Sequence, residues 1–568
     1  MSFRDVGVAH GSSLLLISVL TSLAAVNGDT VACDCSRDVL TVGGEPNDGG
    51  FGGQGGTIDP LPDGSVSASP IAFAIDWSQV QGKISPLVYG LQVSHAGTPD
   101  EVNRYTLMRY ASFWISTYNW EINAGNPGET WCWENGPFFG EEVTGDAATR
   151  LFLQTRSLGA VSLLPVPIGP YVAADTIGGS GPTQCKGDVR LSPDYLRTRF
   201  RINQAAKAAP LSSTPNITDG VVSQDEFAAW ARARAGGQKV AFMLDFLPER
   251  WHGIFADLHP IAVTYAEFVT RNITFARAVK KVYPGAEVVA STVVGWSGVN
   301  NLNWATDATD GGFFFNYFLR SLREANEREG SRVIDTLAID WGPTLSGVMT
   351  ESDLRQARLQ SPRSLWDPTY DEKTSTSRQL GGAVKLIPRL KALIGSDSGS
   401  GYPGTKLAFN SWSFGSGETI DGGLLVADGL GILGRDGAHM AVLEDALKPN
   451  SFSGAGFRAF RNYDGKGSAF GDLAIKVVNA DPARASIYAS TDSAIPDRTV
   501  VVVINKTAEF LPVSLDSSNG PAFSTASVYR LTAAAPAMVP DPSPLALSGG
   551  QLRDRLPPYS IAVYVPAP

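Results

Sequence analysis

VAFMLDFLPERW, residues 240–251, is an apolar run from Val240 to Leu244 that stops abruptly at Asp245. A strand of a parallel sheet reads this way, because helices cover both of its faces and leave no side for polar residues. The break into Asp, Pro, Glu and Trp is how such a strand looks when its carboxyl end opens into a site. Similar runs recur at 86–93, 107–115, 161–169, 286–292, 336–342, 405–412 and 439–445. Between them lie helical patterns, among them 147–159, 264–283 and 313–330, the last closing on charge and Gly330. Eight strands alternating with helices predict an α/β fold, a (β/α)8 TIM-type barrel over residues 86–470. From about Leu473 short β-rich runs such as RTVVVVINK (498–506) and YSIAVYV (559–565) are separated by turns, which predicts a C-terminal β-sandwich over 471–568.

The chain has 568 residues, enough for a barrel and a second domain, and 43% of them are apolar. Its net charge of −10 is spread without a basic run, which argues against nucleic acid as a partner. Residues 1–25 read as a signal peptide: the apolar segment 13–25 is too short to span a bilayer, and small residues follow it. No later segment is long and apolar enough to cross a membrane. Residues 26–70 are rich in Gly, Asp, Pro and Ser and read as a flexible linker. Thr30-Val31-Ala32-Cys33 loosely resembles a lipoprotein box, so a lipid anchor at Cys33 is the alternative to free secretion. For an exported chain with four cysteines the simplest disulfide is Cys132–Cys185. The cysteine spacing does not suggest a zinc site.

Beyond strand four, several stretches carry a family resemblance. Leu244, Asp245, Phe246, Leu247, Pro248 and Trp251 sit in the frame Leu-Asp-Asn-Glu-Pro…Trp of glycoside hydrolase family 44, a family of secreted endo-β-glucanases and xyloglucanases. Tyr118-Asn119-Trp120-Glu121-Ile122-Asn123-Ala124 is similar to that family's segment after strand two. Leu258-His259-Pro260, Ser361-Pro362-Arg363-Ser364-Leu365-Trp366-Asp367-Pro368-Thr369-Tyr370, Tyr402-Pro403-Gly404-Thr405-Lys406-Leu407-Ala408 and Asn462-Tyr463-Asp464-Gly465-Lys466-Gly467 come in the family's order. The resemblance implies that residues 71–85 form a strand that joins the C-terminal sandwich. It also implies a possible structural calcium, whose ligands the sequence does not identify. No cofactor is expected to be required.

Retaining glycosidases use two carboxyl groups about 5–5.5 Å apart, one to protonate the leaving oxygen and one to attack. The resemblance places the acid/base at Leu247 and the nucleophile at Ser411. Leucine handles no proton, and a serine hydroxyl is no nucleophile without a base. The expectation is a pseudoenzyme that holds a β-glucan-type polysaccharide or serves a cell-surface assembly with other proteins. The alternative is a divergent endo-β-glucanase or xyloglucanase with relocated acids, for which Glu249, Asp340 and Glu444 are the candidates near the catalytic face. Against that stands the possibility that Glu249 caps its loop or pairs with Arg109 or Arg250. Arg109 of strand two remains in place. Trp120, Trp131, Trp133, Trp251, Trp296, Trp341 and Trp412 lie in or just after predicted strand ends. They are expected to stack sugar rings; the alternative is that Trp341 and Trp412, with Phe113 and Phe246, fill the old cleft.

Overall fold

The computed structural model describes residues 68–93, 101–110, 113–138, 140–178, 187–308, 312–342, 351–397, 399–444, 447–448 and 450–567. The segment read as signal peptide and residues 26–67 of that read as linker, with Cys33 and Cys185, lie outside them, while Ala68, at the end of the predicted linker, already donates its N–H to the Phe510 carbonyl at 3.0 Å. Eight parallel strand positions close into a barrel: Gly90–Val93, Leu107–Tyr110, Val161–Val166, Val240–Leu244, the split fifth strand Glu287–Val289 and Val293–Val294, Thr336–Trp341, Lys406–Trp412 and Met440–Leu443. The fourth strand is buried along its whole length and is flanked in register by the third, Val240 opposite Ser162 and Leu244 opposite Val166. The eighth pairs with the first through Val442–Gly90 and Leu443–Leu91, which removes both sheet edges.

The helices obey their local signals. Thr264 caps the helix Tyr265–Val282 by accepting from the Glu267 N–H at 3.1 Å, the first half of a Thr-x-x-Glu capping box. Phe268, Asn272, Phe275, Ala276 and Val279 lie buried on one side of it, at the spacing that brings side chains onto one helical face. The helix Phe314–Glu329 stops at Gly330, whose φ of 68° is the left-handed conformation a glycine takes at low cost.

The second sheet has ten strands, and the strand Ile71–Lys83 lies inside it. It runs antiparallel to Leu473–Asn479 on one side and parallel to Leu511–Ser518 on the other. The strand Thr499–Asn505 is buried on both faces. Val501 and Val503 enter the sandwich core with Phe73, Val528 and Tyr564, while Val500, Val502 and Ile504 face the barrel's core. The helix Ile420–Arg435 is the layer between them, buried from Ile420 through Gly434. Its glycines are packing residues: a Cβ on Gly431 would fall 2.4 Å from the Tyr488 ring, and one on Gly429 would fall 2.5 Å from Trp412. Among the described residues no helix is long and apolar enough to cross a membrane.

One ion pair is sealed into this junction. Lys506 Nζ lies 2.7 Å from Asp428 Oδ2, and both side chains are 2% exposed. The Tyr488 hydroxyl donates to Asp428 Oδ1 at 2.5 Å. Removing one partner of a buried pair strands the other charge, at a cost of about 3–5 kcal/mol. Lys506→Met should lower the unfolding free energy from urea denaturation by that order. Asp428→Asn combined with Lys506→Met should recover much of the loss, read by denaturation monitored in the far and near ultraviolet.

Candidate functional site

The residues just after strand four set the mouth of the barrel. Asp245 is fully buried and left-handed, with φ 62°. Its carboxylate accepts from the Ser116 hydroxyl at 2.5 Å, the Phe246 N–H at 2.7 Å and the Ile168 N–H at 2.7 Å. Burial raises its pKa, and those three donors pull it back. Asp245 thereby clamps the loop in the conformation that presents Leu247, which is also left-handed at φ 52° and is 1% exposed. A left-handed leucine is a strained residue, costing on the order of 1–3 kcal/mol, and it persists because its surroundings over-determine it. Phe246 packs edge-on against Phe113 with ring centroids 5.5 Å apart.

Arg109 lies near the end of strand two and is fully buried. Its Nε and Nη2 donate to the Asn410 carbonyl at 2.9 and 2.6 Å, and Nη1 donates to the Tyr110 carbonyl at 3.1 Å. Its guanidinium also sits 5.6 Å from the Phe246 ring centre. Burial works against its charge, while Asp340 and Glu444 support it. Asp340 and Ser411 are register partners at the ends of strands six and seven. Asn410 donates through Nδ2 to Asp340 Oδ1 at 3.2 Å. The Ser411 hydroxyl donates to Glu444 Oε2. Burial holds the Asp340 carboxyl well above the usual range; Arg109 opposes this and Glu444 adds to it.

Glu249 lies on the other side of Leu247 and is 1% exposed. Its Oε1 accepts from the Val294 N–H at 2.7 Å, tying the strand-four loop to the end of strand five. Desolvation pushes its pKa up to about 7, against the Val294 hydrogen bond and the Arg250 charge. Thus Arg109, Glu249, Asp340, Ser411 and Glu444 are electrically or directly linked around one mouth. Glu249 Oε2, Asp340 Oδ2, Asn410 Oδ1 and the indole nitrogens of Trp341 and Trp412 are buried there without a hydrogen-bond partner among the described residues.

The tryptophans divide. Trp120 is fully buried against Phe227 and Trp230, at 5.6 and 5.8 Å between centroids, and offers no face to a ligand; it belongs to the core. Trp251 is 2% exposed, wedged between His259 at 5.3 Å and the Arg271 guanidinium at 5.7 Å. Trp296, Trp341 and Trp412 are buried as well. Open stacking platforms are therefore not found at these five, since each residue is at most 6% exposed. Trp131 and Trp133 stay half-buried, the first edge-on to Trp114 and the second beneath the Arg190 guanidinium at 3.4 Å. Cys132 between them is disulfide-bonded; Cys185, its expected partner, lies outside the described residues. No group of three or more His, Cys, Asp or Glu among the described residues is placed to hold a metal ion. Ser116 and Asn410 support the mouth without any local sequence signal, since their partners lie 129 and 301 residues away.

A closed parallel barrel with an attached β-sandwich, its acids gathered at the carboxyl ends of the strands, is a glycoside-hydrolase architecture. The model of glycoside hydrolase family 44 matches residues 124–345. A family 44 xyloglucanase structure from Paenibacillus polymyxa superposes with a TM-score of 0.79 at 28% identity, covering 88% of this chain and all of that one. Endoglucanase A of Paenibacillus lautus is 29% identical over 474 residues, 79% of this chain. The beta-mannanase/endoglucanase A of Caldicellulosiruptor saccharolyticus is 28% identical over 511 residues, 82% of this chain. The aligned regions make up 65% and 37% of the lengths of these two relatives. Sequence and fold together make the chain a relative of glycoside hydrolase family 44.

The buried carboxyl of Glu249 makes the mouth sensitive to pH. In the unfolded chain it ionises near the ordinary value of 4.5, but in the fold only at about 7. Between those values the unfolded state has lost the proton that the native state keeps, so stability falls as pH rises and then levels off above 7. Glu249→Gln retains an acceptor for the Val294 N–H and removes the titration. Its stability relative to the wild type should therefore improve from pH 4.5 to 7, as measured by paired urea titrations; parallel curves would show that Glu249 does not titrate in this window.

Proposed function

We propose that this protein is a catalytically inactive relative of the family 44 glycosidases that binds a β-glucan-type chain outside the cell. The observation carrying this reading is the pair of residues at the carboxyl ends of strands four and seven. There a two-acid hydrolysis needs proton and charge carriers, and this chain has a buried leucine, Leu247, and a serine, Ser411. Ser411 donates its hydroxyl proton to Glu444 and offers no carboxylate of its own at this position. General acid–base help is worth about 10²–10⁴-fold by itself, so losing both carriers removes the main chemical route. Export rests on the apolar segment 13–25.

Glu249 favours a second reading, a divergent glycosidase with relocated acids. A carboxyl that titrates near 7 is suited to general acid work at neutral pH. Its near-complete burial, and the use of one oxygen on the Val294 N–H, speak for a structural role instead.

The full chain should retard in affinity gels containing xyloglucan or a mixed-linkage β-glucan and release no reducing ends from either, with an active family member as control. Release that disappears in Glu249→Gln would replace this reading with the relocated-acid one. Absence of both binding and release would leave a surface-assembly role in its place.

A further inference from the structure

All twelve tryptophans lie among the described residues, and eleven of them are buried or half-buried. Trp304 is 75% exposed. Its position is fixed by the chain path. Val294, which binds Glu249 at the mouth, ends strand five, and the helix Gly295–Asn301 begins at the next residue. Seven helical residues advance the chain by about 10 Å. Three residues past Trp304, Asp307 caps the helix after strand four by accepting from the Tyr265 and Ala266 N–H groups at 2.8 and 3.3 Å. The Tyr265 hydroxyl donates to the Gly312 carbonyl at 3.0 Å. Trp304 therefore stands on the same carboxyl-end face of the barrel as the mouth, on its rim.

The exposure is built in. Leu302, Asn303 and Trp304 are consecutive left-handed residues, at φ 49°, 53° and 69°. Such a run is costly for side chains with a Cβ, and for a leucine and a tryptophan it is rare. It is nonetheless fully bonded. The Leu302 N–H donates to the Gly298 carbonyl at 3.2 Å, the Asn303 N–H to the Ser297 carbonyl at 3.1 Å, and the Trp304 N–H to Asn301 Oδ1 at 3.0 Å. Leu302 and Ala305 on either side are buried at 1% and 5%. The fold thus pins the backbone on both sides and turns one large amphipathic ring out to solvent, with no ring or guanidinium laid over it among the described residues. A flat apolar face with an N–H at its edge matches the C–H face and hydroxyl rim of a pyranose ring.

We infer that Trp304 is a stacking platform for the sugar ring of a β-glucan-type chain that extends from the barrel mouth over the rim. The inference rests on the glycan-binding reading above and adds a residue and a direction to it. In the full chain, titration with a soluble β-1,4-glucan oligosaccharide should protect Trp304 from iodide quenching, since it is the most accessible indole. Trp304→Ala should weaken binding about tenfold by calorimetry, and Trp304→Phe should weaken it less. Trp304→Gly, which relieves the left-handed strain, should melt no lower than the wild type while losing the same affinity. Wild-type binding that Trp304→Ala leaves unchanged would overturn this inference and leave the glycan-binding reading intact. Absence of wild-type binding would overturn both.

Discussion

A guanidinium cut off from water must be answered by oxygen atoms on every side, and at the mouth of this barrel that demand comes from Arg109. Two of its N–H groups converge on the Asn410 carbonyl of strand seven and a third stays on its own strand. Strands two and seven are thereby fixed relative to each other across the opening. Asn410 faces Arg109 through its backbone and Asp340 through its side chain, so the next residue, Ser411, is left to engage Glu444. The positive charge makes a nearby carboxylate tolerable, and burial then decides which of the acids keeps its proton.

The same mouth shows how one buried carboxylate can shape a loop. Asp245 keeps its three donors and still bends the chain after strand four into a left-handed turn. The turn delivers the Leu247 side chain into the buried mouth. The aspartate clamp and Pro248, at the start of the next helical turn, hold the loop on either side of that residue.

Much of the fold could be read from local sequence. A parallel barrel strand is a short apolar run buried on both faces, and VAFML, TLAIDW and KLAFNSW carry that signature without reference to anything distant. Thr264 with Glu267, and Gly330, mark helix ends by their own chemistry. What the sequence did not contain was direction. A tryptophan at a strand end can turn outward to a ligand or inward to a neighbour, and Trp120 turns onto Phe227 and Trp230, which are remote from it in the chain. Trp304 is inconspicuous for the opposite reason: it sits in NNLNWATDATDGG, a stretch with no period to attract attention. The supports of the mouth were hidden for the same cause as the inward rings, since Ser116–Asp245 and Arg109–Asn410 join residues far apart in the chain.

The strand Ile71–Lys83 precedes the whole barrel in the chain, yet it lies between two strands contributed by residues 473–479 and 511–518. During synthesis it leaves the ribosome long before either neighbour exists. The nascent chain must therefore carry a long strand with both hydrogen-bonding edges bare while the barrel forms behind it. Ile71, Phe73, Ile75 and Trp77 are its inward residues, and the alternation stops there, leaving the rest of the strand polar for most of its length. That composition gives it some protection from pairing with another copy during the wait. Ending translation early would leave it permanently without a sheet.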